Sequence, residues 1–201
     1  MTRAPLHDLH ASNLLTYASL AAAMVTVAAS MGPNIAVAGC ALALATITDT
    51  FDGRFARQFR RTDRQTRIGR ELDSLVDAIA FGLAPVALVS GRFAPPGTPA
   101  AILSWAVALF YAIAVVTRLA FYNVQDDDDR FIGIPTPAAA LLCCTSLLVP
   151  VPTAFVAWPL ALGGVLMIAP LPIPRPGVPG LSLFAAWAAS MAAVFAAKAF
   201  A

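Results

Sequence analysis

The sequence predicts an all-α, polytopic integral membrane protein folded as a helical bundle. Of its 201 residues, 59% are hydrophobic and only 12% are charged, and the mean hydropathy is +0.77. These values are typical of multi-span membrane proteins and exclude most soluble domains. The apolar residues also form separate stretches close to the length that crosses a bilayer as a helix. We expect a single membrane domain over residues 1–201, with about six to eight transmembrane helices.

Seven apolar segments account for these helices in chain order. They cover residues 13–30, 34–55, 70–90, 100–122, 135–149, 153–168 and 181–200. Proline and glycine break helices and form turns, and clusters of both separate most of the segments, as at Gly32-Pro33 and Pro95-Pro96-Gly97. The fifth and sixth segments are short for full spans, so we expect one of them to be tilted, broken or partly re-entrant.

The distribution of basic residues predicts the orientation. The connection between the second and third segments is rich in arginine, whereas the connections on the opposite side contain only Arg92 and Lys198. Basic residues concentrate in cytoplasmic loops, so the arginine-rich connection is predicted to face the cytoplasm. Its arginines are at positions 54, 57, 60, 61, 64, 67 and 70.

Four aspartates flank this connection, on the ends of two apolar segments. Asp49 and Asp52 are three residues apart, and Asp73 and Asp77 are four apart, so each pair lies on one face of its helix. A carboxylate at the centre of a spanning helix costs roughly 3 kcal/mol. We therefore expect the two pairs to face each other at the cytoplasmic surface and to have a function.

The chemistry that suits such a cluster is divalent-metal binding. Carboxylate oxygens are the ligands that Mg²⁺ and Mn²⁺ prefer, and two such ions can hold both the attacking and the leaving oxygen of a phosphoryl transfer. Small residues at Gly53, Ala56 and Gly69 leave room beside the acids, and Arg57 is placed to bind a substrate phosphate. The alternatives are simple salt bridges with the arginines and an ion-transport pathway. Transport sites usually lie near the midplane in repeated halves, which this sequence does not show.

These residues form part of one extended pattern. It reads Asp49, two residues, Asp52-Gly53, two residues, Ala56-Arg57, a spacer, Gly69, three residues, Asp73, three residues, Asp77. The pattern resembles the signature of the CDP-alcohol phosphatidyltransferase family. Stretches starting at Asn13, Arg118 and Phe131 agree as well, and residues 71–85 are most similar to the bacterial members that use serine as acceptor.

The resemblance implies a function for each part of the pattern. The four aspartates would bind two Mg²⁺ or Mn²⁺ ions and the pyrophosphate of CDP-diacylglycerol, and Gly53, Ala56 and Gly69 would make room for the nucleotide. Asp77 would be the general base that activates the hydroxyl of the acceptor, serine, giving phosphatidylserine and CMP. The resemblance also implies a homodimer in a bacterial inner membrane, with the site facing the cytoplasm and no nucleic-acid partner.

Two departures from the family pattern affect the choice of acceptor. The spacer between Arg57 and Gly69 has eleven residues, which is longer than usual, and Phe121 stands where an arginine is expected after Arg118. Arg118 itself is expected to contact substrate. Glycerol phosphate, inositol phosphate and choline are therefore alternative acceptors, and a catalytically silent family member is a further alternative.

Overall fold

The computed structural model describes residues 10–125, 130–174 and 177–200, with Arg130 and Phe131 described by their backbone alone. It is a bundle of α-helices with one pair of short strands, as the sequence predicts for the fold class. The helices are α1 (Leu14–Ser30), α2 (Ile35–Ala56), α3 (Asp63–Asp77), α4 (Ala84–Ser90), α5 (Pro99–Val124), α6 (Thr136–Ser146), α7 (Trp158–Ile168) and α8 (Val178–Ala199); the strands are β1 (Arg130–Ile132) and β2 (Pro172–Pro174).

Five helical stretches are long and apolar enough to cross a membrane. They are Ala11–Ser30, Ile35–Ala56, Asp63–Ser90, Pro99–Val124 and Val178–Ala199. The two remaining apolar helices, Thr136–Ser146 and Thr153–Ile168, are shorter, which agrees with the short fifth and sixth segments of the sequence analysis. The chain is therefore a polytopic integral membrane protein.

The third span begins earlier than its apolar residues indicate. Thr62 caps the start of α3 through a reciprocal pair of hydrogen bonds: Thr62 Oγ1 accepts from the Gln65 N–H at 3.2 Å, and Gln65 Oε1 accepts from the Thr62 N–H at 3.0 Å. Such a capping box satisfies backbone donors that the first turn leaves free. The arginine-rich connection is consequently split between the end of α2, a turn and the first turns of α3, rather than forming one helical face.

A π-helical stretch, Ala78–Leu83, joins α3 to α4 and follows Asp77 directly. Pro85 has no N–H to donate to the carbonyl of Phe81, four residues earlier. The hydroxyl of Tyr111 on α5 donates to that carbonyl instead, at 2.8 Å. Because Tyr111 is fully buried, this bond satisfies two polar groups that have no access to solvent.

Close helix packing depends on glycines that face aromatic rings. α2 lies between α1 and α8, and α5 packs along α7. A Cβ atom on Gly39 of α2 would come within 2.8 Å of the ring of Phe195 on α8, and one on Gly164 of α7 would come within 2.7 Å of the ring of Phe110 on α5. Small residues at these contacts allow membrane helices to approach closely.

The two strands form an antiparallel pair that the sequence analysis did not predict. β1 pairs with β2 so that Ile132 lies opposite Pro172. The turn that follows β1 contains Gly133 at φ +69°, where its N–H donates to Leu171 O at 2.9 Å. A Cβ at Gly133 would collide with the carbonyl oxygen of Met167 and come within 2.7 Å of that of Leu166. The strand pair thereby holds the segment after α5 against the end of α7.

We expect Gly133→Ala to lower the thermal stability of the detergent-solubilised protein much more than Gly97→Ala does. Both glycines have positive φ, but an added Cβ at Gly97 has no atom within 4 Å. The Gly97 variant therefore carries only the left-handed backbone penalty of roughly 1–2 kcal/mol, whereas the Gly133 variant also displaces backbone. Equal melting temperatures for the two variants would contradict this account of the β1–β2 turn.

Candidate active site

Three of the four predicted metal ligands converge between α2 and α3. One carboxylate oxygen from each of Asp49, Asp52 and Asp73 lies within 4.8 Å of the others. Asp49 and Asp52 come from the last two turns of α2, and Asp73 comes from α3, so the convergence depends on these helices crossing at their polar ends. Three hard oxygen donors at this separation match what a divalent cation needs.

Asp77, the fourth aspartate of the cluster, lies next to Asp49. Its carboxyl group contacts that of Asp49, while the carboxyl group of Asp73 contacts that of Asp52. Among the described residues no hydrogen-bond donor reaches Asp77 Oδ1, although this oxygen is buried. A buried, unpaired oxygen is costly unless a ligand or a proton donor binds it.

The residues present therefore fit a divalent-metal centre. Carboxylates this close to each other repel strongly, and burial removes the water that would screen them. Bound Mg²⁺ or Mn²⁺ would remove both costs, and the donor set consists entirely of the oxygen ligands these ions prefer. Asp49, Asp52, Asp73 and Asp77 would supply the ligands.

A polar cavity of about 270 Å³ opens beside the carboxylates. Most of the residues that the sequence analysis assigned to substrate or metal line this cavity. Several residues that the sequence analysis missed line it as well. The lining residues are Ser12, Asn13, Thr16, Asp52, Gly53, Ala56, Arg57, Arg61, Thr66, Gly69, Arg70 and Asp73. Carboxylates suited to binding metal and arginines suited to binding phosphate thus line the same cavity.

The two glycines of this cavity have different surroundings. A Cβ at Gly53 would have no protein atom within 4 Å, so it would extend only into the cavity. A Cβ at Gly69 would lie 3.2 Å from Asn13 Oδ1 and 3.5 Å from a guanidinium nitrogen of Arg61. Gly69 therefore allows α3 to approach the amino-terminal wall of the cavity, whereas Gly53 leaves space that a ligand can fill.

The amino-terminal wall is the part of the cavity that residue chemistry alone did not identify. Ser12 and Asn13 are almost completely buried just before α1, and Ser12 Oγ donates to Asn13 Oδ1 at 3.2 Å. One turn later, the hydroxyl of Thr16 donates to Asp52 Oδ2 at 3.3 Å. This bond fixes the orientation of a predicted metal ligand. The available signal was the stretch from Asn13 to Thr16, which is part of the family resemblance.

Arg61, Thr66 and Arg70 were likewise missed as individual site residues. Arg61 lies in the turn between α2 and α3, and Thr66 and Arg70 lie on α3. All three line the cavity together with Arg57, at the end of α2. These side chains reach the cavity because α3 starts at Asp63. The pattern of apolar residues did not predict that start, since the first turns of α3 are polar.

Arg118 lies outside the carboxylate cavity. Its Nη1 donates to the carbonyl oxygen of Ile132 and, at 3.2 Å, to that of Met167. The guanidinium also lies 4.5 Å from the ring centroid of Tyr122, whose hydroxyl donates to Ile132 O at 3.0 Å. These contacts connect α5 to the β1–β2 region and the end of α7. The assignment of Arg118 to substrate stays a prediction.

Arg118 lines a second, smaller cavity of about 160 Å³ together with Phe121. Phe121 is the residue that replaces the arginine of the family pattern. Its ring packs edge-on against that of Tyr122, with 5.4 Å between the centroids, and it is 47% exposed. An aromatic ring at this position makes the wall of the cavity apolar where a guanidinium would have made it polar.

Taken together, the fold and the site define an integral-membrane helical protein with a carboxylate cluster suited to divalent cations. A family model for CDP-alcohol phosphatidyltransferases matches residues 9–174. The chain belongs to the CDP-alcohol phosphatidyltransferase family.

Curated relatives in several bacteria are similar to this chain. A protein of Mycobacterium bovis is 36% identical over 137 residues, which is 63% of this chain and 45% of the relative; a protein of Helicobacter pylori strain 26695 is 35% identical over 133 residues, 65% and 54% respectively. A Bacillus subtilis protein is 34% identical over 94 residues, 46% of this chain and 50% of the relative. All three are named CDP-diacylglycerol–serine O-phosphatidyltransferase. The matches cover about half the length of these relatives.

We expect Thr16→Val to weaken Mn²⁺ binding by about tenfold, because the substitution removes a hydrogen bond that orients Asp52. Thr16→Ser keeps the hydroxyl and is expected to bind like the unmodified protein. Titration of the purified protein with Mn²⁺, followed by electron paramagnetic resonance, measures both affinities. Identical affinities for the valine variant and the unmodified protein would show that the Thr16 hydroxyl does not support the metal ligand.

Proposed function

We propose that the chain transfers the phosphatidyl group of CDP-diacylglycerol to the hydroxyl of L-serine, giving phosphatidylserine and CMP. The observation that carries this proposal is the carboxylate cluster of α2 and α3 beside an arginine-lined cavity. Membership of the family supports the type of reaction. The names of the bacterial relatives support serine as the acceptor.

In this reaction one phosphorus–oxygen bond replaces another. The serine hydroxyl oxygen forms a bond to the phosphorus nearest the diacylglycerol, and the bond from that phosphorus to the pyrophosphate bridging oxygen breaks. The bridging oxygen leaves with CMP, and the hydroxyl proton passes to a protein base. The protein must therefore orient two phosphates, accept one proton and exclude water as a competing acceptor.

The aspartates would hold two divalent cations, Mg²⁺ or Mn²⁺. When bound, such ions neutralise the pyrophosphate and acidify the attacking hydroxyl. Asp49, Asp52 and Asp73 supply the converging oxygens, and Thr16 fixes the rotation of Asp52.

Asp77 is the residue proposed to accept the proton. Its Oδ1 is buried and has no hydrogen-bond donor among the described residues, so no protein group engages its lone pairs. Its carboxyl group lies next to that of Asp49, one of the proposed metal ligands. In the proposed reaction the proton therefore ends on Asp77 Oδ1.

The arginines of the cavity are suited to the phosphates of the nucleotide. Arg57, Arg61 and Arg70 reach the cavity from the end of α2, the following turn and α3. Guanidinium groups bind phosphate oxygens in a bidentate manner and balance their charge. Gly53 and Ala56 leave the intervening space open for the nucleotide.

A lipid substrate also requires an apolar surface beside the carboxylates. A groove of about 340 Å³ runs between the π-helical stretch and α5, and it is lined by small and apolar side chains that include Ala78, Gly82 and Trp105. Ala78 follows Asp77 directly in the chain. The groove thus reaches the turn of helix that follows the proposed base and lies within the membrane-spanning part of the bundle, where the acyl chains of a lipid are found.

We further propose that the protein works as a homodimer in a bacterial inner membrane, with the carboxylates facing the cytoplasm. The arginines around the cavity support the orientation, because basic residues concentrate on the cytoplasmic side. The bacterial relatives support the type of membrane. No nucleic acid takes part in the proposed reaction.

We expect purified protein with Mg²⁺ or Mn²⁺ to release CMP from CDP-diacylglycerol in the presence of serine, and Asp77→Asn to reduce the rate at least 100-fold. Loss of a general base typically costs 10²–10⁴ in rate. Glu71→Gln, on the exposed face of the same helix, removes an equal charge outside the cluster and is expected to retain activity. Liquid chromatography of CMP and of the lipid product measures both.

The acceptor is identified by replacing serine with glycerol phosphate, inositol phosphate or choline. Release of CMP with one of these but not with serine would overturn serine as the acceptor and keep the reaction class. No CMP release with any acceptor, from protein that binds Mn²⁺ and melts cooperatively, would overturn the proposed activity.

The orientation is testable with single cysteines introduced at exposed positions. Arg60 lies in the turn beside the carboxylates, and Gly91 ends α4 at the opposite end of the bundle. In intact cells we expect a membrane-impermeant maleimide to label Gly91→Cys, and to label Arg60→Cys only after permeabilisation. The unmodified protein, whose cysteines lie in apolar helices, is the background control. The reverse labelling pattern would contradict the proposed orientation.

A further inference from the structure

A second polar cavity lies at the end of the bundle opposite the carboxylates. Its volume is about 370 Å³. The residues around it come from the α1–α2 turn, the loop after α4, the end of α6 and the end of α8: Pro33, Asn34, Ile35, Ala36, Arg92, Leu147, Leu148, Phe195 and Lys198. Ile35 begins α2, whose last two turns carry Asp49 and Asp52, so about 20 Å of helix separates the two sites.

Two cations converge on this cavity from distant parts of the chain. Arg92 follows α4 and Lys198 lies in the last turn of α8. They are the two basic residues that the sequence places on this side of the membrane. Every described aspartate and glutamate lies towards the other end of the bundle, on the second half of α2 or on α3. No described acidic side chain therefore balances these two charges.

The position of the two cations is not explained by membrane topology. Basic residues direct a connection towards the cytoplasm, so charges on the opposite side work against the orientation that the arginine-rich turn favours. One N–H of Arg92 is used locally, since Nη2 donates to the carbonyl of Leu147 at 3.0 Å. This bond holds the guanidinium at the cavity and engages one of its five N–H groups.

The rest of the cavity wall is amphipathic. Ile35, Leu147, Leu148 and Phe195 provide apolar surface, and the start of α2 contributes the positive end of its helix dipole. Asn34 caps that helix start by accepting from the Val37 N–H at 3.3 Å. A negative group in this cavity would meet two side-chain cations and a helix start, with apolar side chains below them. That combination matches a phosphodiester with its acyl chains.

We propose that this cavity binds the phosphate of an anionic phospholipid from the membrane leaflet opposite the carboxylate cluster. The site is independent of the proposed transferase reaction. Arg92 and Lys198 would bind the headgroup phosphate, and the partly exposed Ile35 and Leu148 would contact the glycerol and the upper part of an acyl chain. An anionic lipid would supply the negative charge that none of the described side chains provides at this end.

The test is lipid binding by the full chain in detergent, measured by native mass spectrometry with added phosphatidylglycerol or with phosphatidylcholine of the same acyl chains. We expect the unmodified protein to bind phosphatidylglycerol more tightly. Each basic residue near a membrane surface contributes about fivefold to binding of an anionic lipid. Lys198→Gln is therefore expected to weaken phosphatidylglycerol binding about fivefold, and Arg92→Gln with Lys198→Gln more than tenfold.

Two controls separate this site from general charge and from folding defects. Arg60→Gln with Arg67→Gln removes the same charge from exposed positions at the other end and is expected to weaken phosphatidylglycerol binding much less than the Arg92–Lys198 double variant does. Lys198→Gln alone keeps the Arg92–Leu147 bond, so its effect does not depend on disturbing α6. Equal binding of phosphatidylglycerol by the double variant and the unmodified protein would overturn the proposal. Equal binding of both lipids by the unmodified protein, or displacement of the lipid by millimolar inorganic phosphate, would overturn it as well.

Discussion

The mutual repulsion of four carboxylates within an apolar bundle is the constraint on which the rest of this structure depends. Removing these groups from bulk water is costly, and bringing them together adds repulsion. Both costs restrict where the acids can lie: near the polar ends of helices, beside a polar cavity and next to arginines. The crossing of α2 and α3, the open space at Gly53 and the guanidinium of Arg57 all meet this requirement. The same requirement makes the cluster suitable for divalent cations.

Much of the fold was predictable because membrane burial leaves a strong signal in the sequence. Helix positions follow from runs of apolar residues, and the five long spans agree with the predicted segments to within a few residues, except at the start of α3. The convergence of Asp49, Asp52 and Asp73 was predictable because carboxylates three or four residues apart share a helix face and both pairs flank one connection, at the same side of the membrane. Hydrophobicity and helical spacing are local properties, and a single sequence contains them directly.

The parts that were not predicted depend on contacts between distant residues. The strand pair β1–β2 consists of two three-residue strands, and β2 contains two prolines, so neither strand is long enough to show an alternating pattern. Its position is fixed by the left-handed Gly133 and by Arg118, whose Nη1 bonds to backbone carbonyls. The amino-terminal wall of the cavity likewise forms only because Asn13 meets Gly69. The family resemblance singles out Arg118, but it does not reveal the backbone carbonyls to which Arg118 donates.

The π-helical stretch also determines the rotation of α3 about its axis, and with it the direction in which Asp73 and Asp77 point. One residue of an α-helix corresponds to a rotation of about 100°, so the extra residue in Ala78–Leu83 turns α3 by roughly that angle relative to α4. Deleting one residue there would restore a regular helix of almost the same length and hydrophobicity, with its acids rotated away from α2. A change of one residue within these six residues, which look like ordinary membrane helix, would therefore rotate the acids, whereas the turn at residues 57–62 can change in length without altering that angle.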